Sequence, residues 1–355
     1  AAGPVRLEQT TDYPWSGDIR VTVAESAAAP WTLMIRIPGW AQGRPVPSDL
    51  YRYAGETAEA PSITVNGDPV ALEIDKGYVA VARSWTPGDA VEISLPLSVR
   101  RVLAHPDVRE DVGRVAVERG PLVYAAEWPD NDGFVSHLVL PDESVLTPVV
   151  QPDLLGGVTV LTADGESYRY QRRRVVSAKT SLTLIPYYAW AHRGPGEMAV
   201  WLAREPGRAR PIPEPTLASE AKVAASEGAR GAEGVHDQFE PAHSNDQSGS
   251  PLHWWPRKGT REWVAFDFGR SVRVSEVEVY WFDDSGQGEC RVPASWALLY
   301  KEGEAWTPVE DASAFGVVKD RYNTVVFRPV RTTALRIEIQ LPEGFSSGIL
   351  EWKVR

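Results

Sequence analysis

Ile63-Thr64-Val65-Asn66-Gly67-Asp68-Pro69-Val70 decides the fold class. Two short β-prone runs flank Asn66-Gly67, and a two-residue hairpin turn of the primed type needs positive φ at both central positions, which Asn and Gly tolerate best. The same pattern extends on both sides. Residues 31–37 read as a strand halted by Pro38-Gly39, because proline cannot donate to a ladder. Strands at Tyr78–Arg83, 90–95 and Val99–Ala104 follow, separated by Trp85-Thr86-Pro87-Gly88-Asp89 and by Pro96. A second group covers 114–127, 138–140, 158–162, 168–176, 182–185 and 198–202, and is expected to share the first core, with a subdomain seam considered at 151–157. Short apolar or alternating runs bounded by turn residues, without helical periodicity, predict an all-β chain: an antiparallel β-sandwich over 1–203.

Residues 204–217 contain four prolines and read as a stiff, extended linker. Beyond it, 218–355 opens with a polar, loop-rich stretch and continues with strands at 263–268, 274–281, 296–300, 324–327, 334–340 and Gly348–Val354. About 135 residues of this pattern predict one jelly-roll domain.

Composition sets the limits on function. The chain has 355 residues, 43% of them hydrophobic, and a formal net charge of −11. Two or three domains, each with its own core, fit that length. No run approaches the ~18 apolar residues of a membrane helix, so no membrane span is expected. The acidic balance opposes a nucleic-acid partner. Cys290 is the sole cysteine, which excludes an internal disulfide and any site built from two thiolates of this chain. Fourteen Trp among 355 residues raise the prospect of indole faces stacked on sugars, although most Trp are core. The sequence starts at Ala1 without Met or a leader pattern and reads as a trimmed or excised piece; the lone cysteine leads us to expect a cytoplasmic protein.

Four blocks carry a family resemblance. Thr11-Asp12-Tyr13-Pro14-Trp15-Ser16-Gly17, Ile35-Arg36-Ile37-Pro38-Gly39-Trp40, Gly113-Arg114-Val115-Ala116-Val117-Glu118-Arg119-Gly120-Pro121-Leu122-Val123-Tyr124 and Ile185-Pro186-Tyr187-Tyr188-Ala189-Trp190-Ala191-His192-Arg193-Gly194 resemble, in order, the C-terminal non-catalytic region of glycoside hydrolase family 127, the β-L-arabinofuranosidase-like enzymes. The resemblance implies catalysis in an upstream (α/α)6 barrel, where Cys residues and a Glu bind zinc and one thiolate attacks the anomeric carbon. This chain holds none of that equipment, so no catalytic residue is carried over and the zinc is not expected here. What is implied is an accessory region that supports a barrel half in cis or in trans. Tyr187, Tyr188, Trp190 and His192 are the expected docking face; a bared docking face predicts self-association, a homo-oligomer, or capture of the catalytic half.

The second unit resembles a discoidin-like (F5/8 type C) module, similar to carbohydrate-binding modules, through Gly234-Val235-His236-Asp237, Trp254-Trp255-Pro256, 262–269, 274–281 and Gly348-Ile349-Leu350-Glu351-Trp352. That resemblance implies a structural Ca²⁺ at Asp237 and Glu351, although two carboxylates leave the usual shell of about 6–8 oxygens incomplete. Trp254, Trp255, Asp284 and Arg291 are the candidates for binding a plant-type glycan. His236, His243 and His253 with Asp237 and Asp246 match no compact metal spacing and read as solvated loop polarity. Asp283 and Asp284 could be offered as a glycosidase pair, but neighbours on an extended strand end point to opposite sides, and a turn role is favoured. Arg172-Arg173-Arg174, the one basic run, reads as a solvated strand edge. The competing readings are a free-standing carbohydrate- or protein-binding protein and a glycosidase with an unrecognised carboxylate pair.

Overall fold

The computed structural model describes residues 3–55 and 59–355. The chain is all-β, with only short 3-10 turns besides strands among the described residues. It divides into two compact units, Ala1–Ile212 and Pro213–Arg355.

The first unit opens with two small sheets packed face to face. One runs Arg6–Thr11, Asp18–Glu25, Ala90–Ser94, Ser62–Val65, Asp68–Pro69; the other runs Trp31–Arg36, Tyr78–Arg83, Ile74–Asp75. Alternation along Tyr78–Arg83 and Ser62–Val65 sends Val79, Val81, Ile63 and Val65 inward, where they meet Val23, Ile35, Val91 and Trp85. The hairpin turn has Asn66 at φ 54° and Gly67 at φ 87°, as the sequence requires. Asn66 also spans the neighbouring strand, its Nδ2 donating to Asp89 Oδ1 (2.8 Å) and its Oδ1 accepting from the Ala90 amide (2.8 Å).

Residues after Leu95 do not share that core, contrary to expectation. They supply nine strands of a ten-stranded sheet, the tenth being Tyr51–Tyr53 beside Val99–Ala104, with its own centre at Val115, Val117, Tyr124, Leu140, Leu161, Leu182, Leu184 and Leu202. Leu122–Glu127 pairs with Arg174–Pro186 on one edge and with Arg114–Arg119 on the other, so the sheet closes back on itself around this second core. The seam considered at 151–157 is instead the turn joining Thr147–Gln151 to Val158–Gln171. Leu202–Ala203 lies inside the sheet, antiparallel to Arg114–Arg119 and parallel to Leu138–Val139. Residues 204–212 stay bound to this unit: the Arg210 amide donates to Ser136 O (2.8 Å), and Ile212 exchanges bonds with Tyr168 and Tyr170 (2.9 and 2.8 Å).

The stretch 168–176, read as one strand, contains a turn. Val158–Gln171 and Arg174–Pro186 form a long hairpin whose two turn residues, Arg172 (φ 49°) and Arg173 (φ 60°), are both left-handed. The basic run therefore crowns a hairpin instead of lining an edge.

The second unit is organised by two strands longer than any run in the sequence suggests. Arg261–Phe282 covers 22 residues, which would extend about 70 Å if straight at roughly 3.3 Å per residue. It pairs with Tyr322–Gln340, and the four residues between Asp267 and Val272 oppose only Thr333 of the partner; Gly269 has φ 63° there. The strand consequently folds over: Phe266, before the irregularity, stacks 4.0 Å from Trp352, whose strand pairs with Val279 beyond it. Trp254, Trp281, Trp296, Leu335 and Ile337 fill the space between the two layers.

Candidate ligand cleft and docking face

Asp283 and Asp284 follow directly on the end of Arg261–Phe282, and their different surroundings separate their roles. Asp283 is buried, and its carboxylate accepts from the Ser285 amide and hydroxyl (3.1 and 2.5 Å), Lys319 Nζ (2.8 Å) and the Val292 amide (3.1 Å). Burial alone would raise its pKa, but Lys319 and these donors outweigh burial and hold it below the ordinary value. A carboxylate so fully engaged closes a turn, and its lowered pKa makes it a poor general acid.

Asp284 shapes the neighbouring loop. Its carbonyl accepts the Gln287 and Gly288 amides (2.9 Å each), and its Oδ1 accepts the Cys290 amide (2.8 Å). A Cβ at Gly288 would sit 2.1 Å from Asp284 Oδ2, so a larger residue there would push this carboxylate out of its present position. Arg291 lies behind this carboxylate, its Nη1 3.5 Å from Asp284 Oδ1 and donating to the Gly288 and Cys290 carbonyls (3.0 and 2.7 Å). Its guanidinium also caps the Phe345 ring at 4.5 Å. Arg291 is thus a support for the loop, while Asp284 reaches the open side.

That open side is a cleft of about 600 Å³ bordered by Trp255, His253, Asp284, Phe282, Gln247 and Glu289. Trp255 is 42% exposed, and its Nε1 donates to Glu289 Oε2 (3.0 Å). Trp254 corrects the sequence reading: it is fully buried, its Nε1 donating to Ser226 Oγ (2.8 Å), and it cannot meet a ligand. Simple alternation explains the split, because Leu252 and Trp254 turn inward while His253 and Trp255 share the outer face.

His253, expected from the sequence to be solvated loop polarity, lines this cleft instead. Its Nδ1 is buried without a hydrogen-bond partner among the described residues, and burial followed by the Arg230 charge lowers its pKa, so the ring stays neutral. The neutral imidazole, the Asp284 carboxylate and the Trp255 face together can orient hydroxyls and cover an apolar ring face. The other histidines do not join them. His236 is buried, its Nδ1 2.8 Å from Ala218 O and its ring 5.4 Å from Phe266. Asp246 accepts from the Ala242 and Ser248 amides (2.9 and 3.1 Å). Among the described residues no group of three or more His, Cys, Asp and Glu is placed to hold a metal. Cys290 is 3% exposed, and burial followed by the Asp284 charge pushes its thiol up to about 11, which removes it as a nucleophile at neutral pH.

Asp237 and Glu351, the residues implied for Ca²⁺, are electrostatically coupled. Glu351 is almost wholly buried, its Oε2 has no hydrogen-bond partner among the described residues, and burial followed by Asp237 pushes its pKa up to about 9. A buried, orphaned carboxylate oxygen beside a second carboxylate is chemically suited to a hard cation, with carbonyls or water completing the shell.

In the first unit, Tyr187, Tyr188, Trp190 and His192 all lie exposed on one loop, with Tyr187 and Trp190 stacked at 6.1 Å. The loop is anchored from beneath. Glu127, 1% exposed, accepts the Ala191 amide (2.7 Å) at a residue with φ 65°, and it also accepts Arg193 Nε (3.1 Å) and Nη2. Asp130 accepts the same guanidinium through Nη1 (2.8 Å), and Asp130 followed by Glu127 raises the Arg193 pKa. The aromatic face is therefore a fixed platform.

Residues 1–97 match the β-L-arabinofuranosidase GH127 middle domain, and residues 99–203 match the glycoside hydrolase family 127 C-terminal domain. The division falls between the two hydrophobic cores. A non-reducing end β-L-arabinofuranosidase of Bifidobacterium longum subsp. longum is 34% identical over 221 residues, covering 57% of this chain and 31% of that protein. A GH127 β-arabinofuranosidase of known structure shares 43% identity with a TM-score of 0.57, covering 59% of this chain and 33% of its own. The GH127 β-L-arabinofuranosidase of Geobacillus stearothermophilus T6 is 38% identical with a TM-score of 0.48, over 56% of this chain and 30% of its own. The chain spans about a third of the length of these relatives.

Proposed function

Because the chain belongs to glycoside hydrolase family 127 through residues 1–203, we propose that it is a non-catalytic accessory region of a β-L-arabinofuranosidase-like hydrolase, bracing the catalytic portion and presenting glycan to it. The observation that carries this reading is the aromatic platform of Tyr187, Tyr188 and Trp190, exposed yet held rigid by Glu127 and Arg193. Rigid aromatic surface is the composition of an interface centre. Cys290 supports the same reading, since the sole thiol of the chain is buried and protonated. The purified chain should not hydrolyse an aryl β-L-arabinofuranoside, and it should bind the isolated barrel domain of a family 127 enzyme, with Trp190→Ala weakening that association. Turnover by the chain alone would overturn the proposal.

The second unit is read as the discoidin-like, glycan-binding part. Trp255, His253 and Asp284 supply one stacking face and two orienting groups in a single cleft, and tethering glycan there raises its local concentration without chemistry. Titration calorimetry with arabinose-containing oligosaccharides should show binding that Trp255→Ala removes. Binding unchanged in that variant would place the ligand elsewhere. Ca²⁺ at Asp237 and Glu351 is proposed as structural: it would neutralise the buried Glu351 carboxylate together with the exposed Asp237 and hold the 237–239 turn against Gly348–Val354. Saturating Ca²⁺ at 100 times its Kd would add about 2.7 kcal/mol to the second unit, and Glu351→Gln should abolish the effect on melting temperature.

A further inference from the structure

The long hairpin of the first unit outgrows its core. Leu161, Ala163, Leu182 and Leu184 are buried at its base, but from Arg169 to Lys179 every residue except Val176 is exposed. Both faces of a two-stranded arm thus stand in solvent, which packing does not explain. Its charge is equally one-sided: Arg169, Arg172, Arg173, Arg174 and Lys179 fall on the arm, and no Asp or Glu occurs between Glu166 and Glu197, in a chain of net charge −11. Among the described residues Arg169, Arg173, Arg174 and Lys179 form no ion pair. Register sorts the arm into two faces. Tyr170 lies opposite Val175, both exposed, and makes an aromatic-aliphatic spot. On the other face Arg169 pairs with Val176 and Gln171 with Arg174, so Arg169 and Arg174 are diagonal neighbours about 7–8 Å apart at Cα. The left-handed turn lifts Arg172 and Arg173 to the tip.

We propose that this arm binds a carboxylated polysaccharide, its arginines holding successive uronate carboxylates while Tyr170 covers a sugar face. Guanidinium forks match carboxylates in a bidentate geometry, and an aromatic ring matches the C–H face of a pyranose. A nucleic acid fits less well, because its backbone, with one charge per about 1.7 Å of duplex, is a denser polyanion than a chain bearing one carboxylate per sugar, and the net charge of −11 repels it more strongly. The arm and the cleft belong to different units, so the proposal stands apart from glycan binding at Trp255.

Affinity electrophoresis and calorimetry of the full chain with polygalacturonate, neutral arabinan and single-stranded DNA, at low and at physiological salt, test it. Arg172→Asn with Arg173→Gly suits the left-handed turn and so keeps the fold; Arg169→Gln with Arg174→Gln is the second variant. Polygalacturonate should bind at low salt, weaken with salt, and lose about tenfold in affinity in either double variant, while Trp255→Ala leaves it unchanged. The proposal fails if polygalacturonate does not bind, if both double variants bind like the parent, or if DNA binds as tightly with the same salt slope. It also fails if the variants abolish only a salt-sensitive association of the chain with itself.

Discussion

Glu127→Ala tests whether the aromatic platform is held from below. The carboxylate is 1% exposed and carries three donors, the Ala191 amide and two guanidinium nitrogens of Arg193. Removing one member of a buried ion pair costs about 3–5 kcal/mol when the partner is stranded. Arg193 is not stranded: its side chain is 21% exposed and Asp130 remains on the other side. The expected loss is therefore about 2–3 kcal/mol, part of it from the orphaned Ala191 amide at a left-handed position. For a unit of this size that lowers the melting transition by roughly 4–12 °C. Glu127→Gln keeps an acceptor for Ala191 and should lose about half as much. Scanning calorimetry of the full chain reads the transition of the first unit, and tyrosine-tryptophan fluorescence reads the Tyr187–Trp190 stack. Both variants melting within 1 °C of the parent, with unchanged fluorescence, would refute the view that this carboxylate fixes the platform.

Trp254→Ala should cost the second unit about 3–5 kcal/mol, as for other buried aromatic truncations, whereas Trp255→Ala should chiefly affect ligand binding; urea unfolding alongside calorimetry separates the two. Asp283, whose folded pKa is depressed, stabilises the fold above the unfolded value of about 3.9 and loses that contribution as pH falls through the folded value. The stability gap between the parent and Asp283→Asn should accordingly narrow from pH 7 to pH 3 in urea titrations. Cys290, with its thiol near 11, should resist a thiol-specific chromogenic disulfide at pH 8 until the chain is denatured; prompt labelling of the native protein would contradict its burial.

The turn at Asn66-Gly67 was legible because both residues advertise a left-handed backbone. The turn at Arg172-Arg173 was not: arginine carries no such signal, and its left-handed conformation is imposed by the pairing of Gln171 with Arg174. Residues 263–268 and 274–281 looked like separate strands because the irregularity at 267–272 interrupts the alternation, although the backbone continues through it. Two cores over 1–203 were invisible to local pattern, since strand grammar says nothing about which faces meet. In the cleft, Trp255 and Asp284 were legible by residue type, while Trp254 is buried and His253, expected as solvated loop polarity, lines the cleft. Period-two reading of Leu252-His253-Trp254-Trp255 carries both corrections, placing 253 and 255 on one face and 254 on the other.

Leu202–Ala203 sits between Arg114–Arg119 and Leu138–Val139, so the last strand of the closed sheet occupies its interior. During synthesis, then, Arg114 and Val115 emerge with one edge unfilled, although Leu122–Glu127 soon covers 117–119 beside them, and wait more than eighty residues for Leu202–Ala203, on the order of ten seconds at ordinary translation rates. Over that interval the nascent chain exposes a ladder edge and half of an apolar interior. Shortening the chain by even a dozen residues before Arg204 would leave a gap in the middle of the wall instead of trimming its rim, and a ribosome stalled there would present to chaperones a sheet that cannot shut.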